Sequence, residues 1–180
     1  MGGNTRIQRE VLSLPAKTMI KLIIIRGPLG VGKSTVATKL AQELNAYYVS
    51  IDSILKENDL DKVEGEGIPI KNFLKGNEIA MPQIKEALED EKPVIVDGCF
   101  YHKEQIEHFI ENLPVEHIVF TLKAPVETCI SRDKGKDLSY GEGAAMAVHN
   151  MVSRFDYGTI IETEGQTLNQ TLNEITQHLQ

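Results

Sequence analysis

The sequence predicts an α/β domain built on a parallel sheet, and three observations carry that prediction. Short continuous apolar runs, at Lys21–Ile25, Pro93–Val96 and His117–Leu122, suit strands buried on both faces. Between them lie longer segments whose apolar residues recur at helical spacing, the alternation that βαβ units produce. The first run passes through a glycine-rich turn, Gly27–Thr35, directly into a helical pattern.

At 180 residues and 41% hydrophobic content, the chain is long enough for one well-formed core and short for two. Residues 1–18 are mixed, with Gly2, Gly3 and Pro15, and read as an N-terminal extension outside the core; residues 19–180 are read as one domain. A net charge of −7 argues against a protein that coats nucleic acid by charge alone and favours partners held in a specific pocket. Cys99 and Cys129 fall in no metal-like spacing and are too few for a disulfide framework. They read as core filler in a reduced, cytoplasmic setting. No apolar run approaches the roughly 20 residues of a membrane helix, and the amino terminus lacks the apolar stretch of a signal peptide. A monomer or weak dimer without a membrane partner is expected.

In chain order, Gly27-Pro28-Leu29-Gly30-Val31-Gly32-Lys33-Ser34-Thr35 matches the P-loop pattern: a glycine, four free positions, then Gly-Lys-Ser. The chemistry needs these residue types. Glycines let backbone N–H groups turn inward around phosphate oxygens, and the following helix adds its positive end. Lys33 can reach the β- and γ-phosphates, and the Ser34 hydroxyl can ligate Mg²⁺. Val36, Ala37, Leu40, Ala41 and Leu44 continue as a helix that stops at Asn45. The plainer reading of the motif is a glycine-rich turn that only joins strand to helix; its position between a strand-like and a helix-like run favours phosphate binding.

Tyr47–Ile51 is a short β-prone run ending at Asp52. Carboxyl ends of strands line the crevice of a parallel sheet, so Asp52 is expected to face the same site as Lys33 and to accept a proton from a substrate hydroxyl. The alternative is that Asp52 caps the next helix. From Glu57 to Glu78 the sequence reads as a loop-rich, substrate-covering insertion, with Gly65, Gly67, Pro69 and Gly76 and few periodic apolar residues, closed by a helix from Ile79.

Pro93-Val94-Ile95-Val96-Asp97-Gly98 is an apolar strand ending in an acid, as a Walker-B strand does, and Asp97 is the candidate to hold Mg²⁺ together with Ser34. His102 follows as a weaker acid–base candidate. After the third apolar run, Pro125 opens a helix that runs into Arg132-Asp133-Lys134-Gly135-Lys136-Asp137, read as a cationic lid over about 132–141. Arg132 is the candidate cation for the developing phosphoryl charge; an ordinary charged loop is the alternative. Tyr140–Phe155 reads as a helix and Gly158–Ile161 as a last strand. Thr167 with Gln170 forms a capping box for the final helix.

With Gly27–Thr35, Asp52, Asp97 and Arg132 in this order, the chain resembles the small P-loop kinases of the adenylate, shikimate and gluconate kinase group. It looks closest to the branch that includes zeta-toxin, chloramphenicol phosphotransferase and polynucleotide-kinase-like proteins. The resemblance covers Met19 to Gln180. It implies a three-layer fold with a five-stranded parallel sheet in the order 2-3-1-4-5, helices on both faces and a short lid. It implies that Asp52 contacts the acceptor hydroxyl, that Arg132 contacts ATP phosphates, and that the loop from Thr163 to Gln166 contacts adenine. Such lids often carry a second arginine, whereas here Lys134 and Lys136 stand in that region, which leaves Arg154 as a substitute.

The expected activity is transfer of the γ-phosphoryl group of ATP, with Mg²⁺, to a hydroxyl or phosphate of a small molecule. A nucleoside, nucleotide or polynucleotide 5′-end is the alternative acceptor, and nucleic acid is not favoured by the acidic pI. A GTPase switch lacks its Asn-Lys-x-Asp and Asp-x-x-Gly motifs here. An ATP-binding regulatory module without transfer activity is the remaining reading.

Overall fold

The computed structural model describes residues 20–135 and 139–179. The expected extension at residues 1–18, and Lys136 and Asp137 of the expected lid, lie outside the described residues. The strands are β1 (Leu22–Arg26), β2 (Tyr47–Ser50), β3 (Val94–Gly98), β4 (His117–Lys123) and β5 (Thr159–Glu162). The helices are α1 (Lys33–Leu44), α2 (Ile51–Glu57), α3 (Ile70–Glu89), α4 (Lys103–Asn112), α5 (Val126–Lys134), α6 (Glu142–Val152) and α7 (Leu168–Gln177). All strand pairs are parallel, in the order β2-β3-β1-β4-β5, as the family resemblance implies.

The sheet is covered on both faces, and the period-2 alternation of each strand divides its side chains between two cores. Leu22 and Ile24 of β1 pack with Leu55, Phe73, Ile84 and Phe109 of α2, α3 and α4. Ile23 and Ile25 point the other way, onto Val36 and Leu40 of α1 and Leu172 and Ile175 of α7. Burial on both sides explains why the central strands read as unbroken apolar runs. Terminal signals also hold: Asn45 takes the left-handed conformation (φ 50°) that ends α1, and Thr167 and Gln170 cap α7 reciprocally.

One expectation needs correction. The stretch from Glu57 to Glu78 is loop only in its first part: residues 58–69 form a loop, within which Glu64 and Gly67 make a small antiparallel bridge, and α3 begins at Ile70 rather than near Ile79. Gly76, read as a loop residue, lies inside the helix because α2 crosses there. A Cβ on it would come 2.9 Å from Cδ2 of Leu55. The glycine serves close helix packing, and tertiary contact outweighs its poor helix propensity.

Arg26, the last residue of β1, escaped the sequence reading and is 0% exposed. Its guanidinium donates to the carbonyls of Phe100 (3.3 Å), Phe155 (3.1 Å) and Val152 (2.9 Å) and to Oγ1 of Thr121 (3.2 Å), and it stacks 4.2 Å from the Phe155 ring. Burial lowers its pKa to about 10. The residue ties the end of α6 and the turn after β3 to the sheet. Phe100 in that turn holds a left-handed φ of 43°, a conformation that costs energy outside glycine and is held here by the Arg26 bond.

Candidate active site

The site forms at the carboxyl edge of the sheet, where β1, β2 and β3 end. Gly32 adopts φ 105° as the N-cap of α1, a left-handed conformation open to glycine at little cost. No side chain caps α1 and no acid sits in its first turn, so its N–H groups and positive pole stay available to an anion. Behind the loop, α5 holds it in place. A Cβ on Gly30 would lie 2.0 Å from the carbonyl oxygen of Cys129, and Arg132, one turn further on, donates to the carbonyl of Val31 at 3.3 Å. Gly27 is also close-packed, since a Cβ there would lie 2.8 Å from the carbonyl oxygen of Leu122. Gly30→Ala therefore meets both a backbone clash and a positive φ (79°), and should destabilise the protein by on the order of 3 kcal/mol, read as a lowered unfolding midpoint.

Lys33, 6% exposed, stands at the first position of α1 and donates to the carbonyl of Pro28 at 3.0 Å. Its ammonium also approaches Sγ of Cys99 at 3.6 Å. Burial works against its charge, but Cys99, Asp52 and Asp97 outweigh burial and hold its pKa above the ordinary lysine value. Burial pushes the Cys99 thiol up to about 12, so at neutral pH the thiol is uncharged and the two carboxylates supply that attraction.

Alternation along β3 turns Asp97 to the α1 face, on the side of Ile95. Asp97 is 0% exposed and accepts from the Ser34 hydroxyl at 2.8 Å and the Tyr48 hydroxyl at 2.9 Å. Burial raises its pKa, against the pull of Lys33. Serine hydroxyl and carboxylate thus stand together, as the Walker-B reading expects. Asp52 sits in the first turn of α2, but Ser50 is the cap, accepting from the Ser53 N–H at 3.4 Å, so capping does not explain the carboxylate. Asp52 instead accepts from the Cys99 N–H at 3.3 Å and from the Cys99 thiol at 3.4 Å. Cys99 therefore links Lys33 to Asp52, a role missed when it was read as core filler. Its place directly after Asp97-Gly98 was the available signal.

Arg132 belongs to α5 and precedes the loop. Besides Val31 it donates to Oγ1 and the carbonyl of Thr163, both at 3.1 Å. Thr163 is itself fixed to the carbonyl of Lys123. Arg132 and Thr163 thus meet beside the P-loop. Asp133 organises the chain after α5, accepting from the Ser139 hydroxyl and the Tyr140 N–H. Arg154 is exposed and pairs with Glu66 at 2.8 Å.

A cavity of about 730 Å³ opens beside Lys33, Ser34 and Thr35 and extends past Asp52. Leu55, Ile68 and Phe73 form one wall and Ala147, Val148 and Met151 of α6 the other. Tyr101 and His102 fix the 58–69 loop from below: the Ile68 N–H donates to Oη of Tyr101 (2.7 Å) and Nε2 of His102 donates to the Ile68 carbonyl (3.1 Å). His102 is thereby a structural residue. Burial, with Asp97 adding for Tyr48, pushes the phenols of Tyr48 and Tyr101 up to about 12. Since an unfolded tyrosine loses its proton near 10, this stability is present below that pH and falls as pH rises toward about 12. An alkaline titration followed by tyrosinate absorbance should show Tyr48 and Tyr101 ionising late, together with unfolding, and Tyr140, also pushed up by burial, ionising above the ordinary tyrosine range.

Comparison with known proteins agrees with this fold. A family described as "AAA domain" matches residues 22–156, and the chain belongs to that family. An adenylate kinase of Mycoplasmopsis pulmonis is 28% identical over 148 residues, which is 77% of this chain and 69% of the relative. Among solved structures, a sugar kinase from Janibacter superposes with a TM-score of 0.72 at 13% identity, covering 88% of this chain and 93% of its own. A shikimate kinase from Acinetobacter baumannii, in complex with shikimate, gives 0.60 at 21%, covering 89% and 93%. The fold is that of the small P-loop kinases. Among the described residues no helix is long and apolar enough to cross a membrane.

Proposed function

We propose that the protein is an ATP- and Mg²⁺-dependent phosphotransferase that moves the γ-phosphoryl group to a small-molecule acceptor. The observation that carries this reading is one continuous cavity that joins the P-loop lysine to a strand-end carboxylate, Asp52, which no capping role explains. Lys33 and the loop N–H groups hold the transferring phosphate in place, which is most of what such a reaction requires of a protein. Asp52 accepts the proton of an acceptor hydroxyl. Arg132 would steady the phosphate charge after giving up its bonds to Val31 and Thr163.

The donor set beside Ser34 fits Mg²⁺: a hydroxyl and a buried carboxylate 2.8 Å apart, all oxygen. Among the described residues no group of three or more acids, histidines or cysteines could form a protein-only metal cage. That suits an ion held by one or two protein ligands, waters and phosphates. When bound, the ion neutralises phosphate charge; Ser34 and Asp97 would hold it.

The names of the curated relatives favour a second reading, a nucleoside monophosphate as acceptor. ADP release from ATP, measured across a panel of alcohols, sugars, nucleosides and nucleotides, tests the proposal. Acceptor-dependent release supports a kinase. Nucleotide binding without transfer to any member would favour a regulatory ATP-binding module.

A further inference from the structure

Resting on the kinase reading, we infer that Tyr48 is a positioning residue for the metal site: its hydroxyl fixes the plane of the Asp97 carboxylate, so that Oδ2 stays aimed at Ser34. Alternation along β2 separates two adjacent tyrosines. Tyr47 packs on the α3 side of the sheet, where its hydroxyl donates to Oε1 of Gln83 at 3.0 Å. Tyr48 packs on the α1 side. In the parallel register Ser50 stands opposite Asp97 and Tyr48 opposite Ile95, so Tyr48 and Asp97 share a face along a diagonal. The phenol spans it. Its Oη donates to Oδ1 of Asp97 at 2.9 Å, while the Ser34 hydroxyl donates to Oδ2 at 2.8 Å.

Two donors, one on each oxygen, do what a single donor cannot. The last torsion of an aspartate is soft, so a carboxylate held at one oxygen swings about it. A competing partner is close by, because Asp97 also attracts the Lys33 ammonium. With Oδ1 tied to β2, the carboxylate is kept from turning toward that cation, and Oδ2 remains with the serine that would hold the ion. Tyr48 does not line the cavity, so it acts through Asp97 and not on the substrate. Outer partners of this kind orient the groups that hold an ion, and losing one typically costs about 10- to 100-fold in metal affinity.

The test is Mn²⁺ binding to the full chain with ADP, the protein in excess over nucleotide, read from the electron paramagnetic resonance signal of free Mn²⁺. Tyr48→Phe removes only the hydroxyl and should weaken Mn²⁺ by about tenfold or more, while ADP binding in EDTA stays within about twofold of the parent. Tyr47→Phe, which loses a hydroxyl bond on the opposite face, should leave both affinities unchanged. In an Asp97→Asn background Tyr48→Phe should weaken Mn²⁺ no further, because the hydroxyl acts through that carboxylate. Mn²⁺ affinity of Tyr48→Phe within about threefold of the parent would overturn the inference and leave the kinase reading standing, even with a lowered unfolding midpoint, since the hydroxyl would then only satisfy a buried oxygen. An equal loss in Tyr47→Phe, or a full loss in the Asp97→Asn background, would overturn it as well. No Mn²⁺ binding by the parent with ADP removes both readings. The expected Mn²⁺ loss in a protein whose parent transfers phosphate to no acceptor keeps the Tyr48 assignment and removes the kinase reading.

Discussion

Lys33→Met is expected to lower the rate of phosphoryl transfer by about 10³-fold or more, the range seen when one preorganised donor or phosphate-binding cation is removed. Methionine keeps most of the volume of a side chain that is 6% exposed, so the loss can be assigned to charge and hydrogen bonding rather than to a cavity. The ammonium is held charged by Asp52 and Asp97 with its pKa above the ordinary lysine value, and so remains a cation throughout the working pH range. Its removal also leaves those two carboxylates without their counter-charge, and the variant should unfold at a somewhat lower temperature at neutral pH. Circular dichroism with a thermal scan separates the two effects. A folded Lys33→Met protein that turns over within tenfold of the parent would remove the P-loop from the chemistry.

Asp52→Asn should reduce transfer by about 10²- to 10⁴-fold, the usual worth of a positioned general base, while ADP·Mg²⁺ binds as before. The substitution is nearly isosteric. An asparagine oxygen can still accept the Cys99 N–H that Asp52 accepts at 3.3 Å, so the turn after β3 keeps its support. What disappears is the proton acceptor, and with it one of the two charges facing Lys33. Measuring nucleotide binding and turnover on the same preparation checks this. Unchanged turnover would show that Asp52 is not the base, and a matching loss of nucleotide affinity would show that it acts by holding Lys33.

Most of the architecture was legible because its signals are local. Buried-strand runs, the Gly27–Thr35 motif, the Asn45 stop and the Thr167–Gln170 box each depend on residues within one element or turn. The same holds for Ser34 and Asp97. A P-loop serine and an acid at the end of the strand beside it are brought to 2.8 Å by parallel pairing of β1 with β3. The loop reading of the segment after Glu57 fails only from Ile70 on, because Gly76 looks like a turn residue in isolation, whereas Gly65 and Gly67 do lie in the loop. Gly76 answers to Leu55 of another helix, a contact that no window around Gly76 reveals.

Arg26 and Cys99 show the same divide within the site itself. A lone arginine after an apolar strand reads as a strand end. Only the return of α6 to the sheet surrounds it with the carbonyls of Val152 and Phe155, more than a hundred residues away in the chain. A lone cysteine reads as filler until the turn after β3 sets it between Lys33 and Asp52. Local patterning of apolar, glycine and capping residues was enough to specify the strands, the helices and a phosphate-binding loop. Which side chains converge on that loop, and the largely apolar walls of the cavity beside it, arose from packing between elements distant in sequence. Burial and charge pairing are properties of that packing and have no counterpart in the linear pattern.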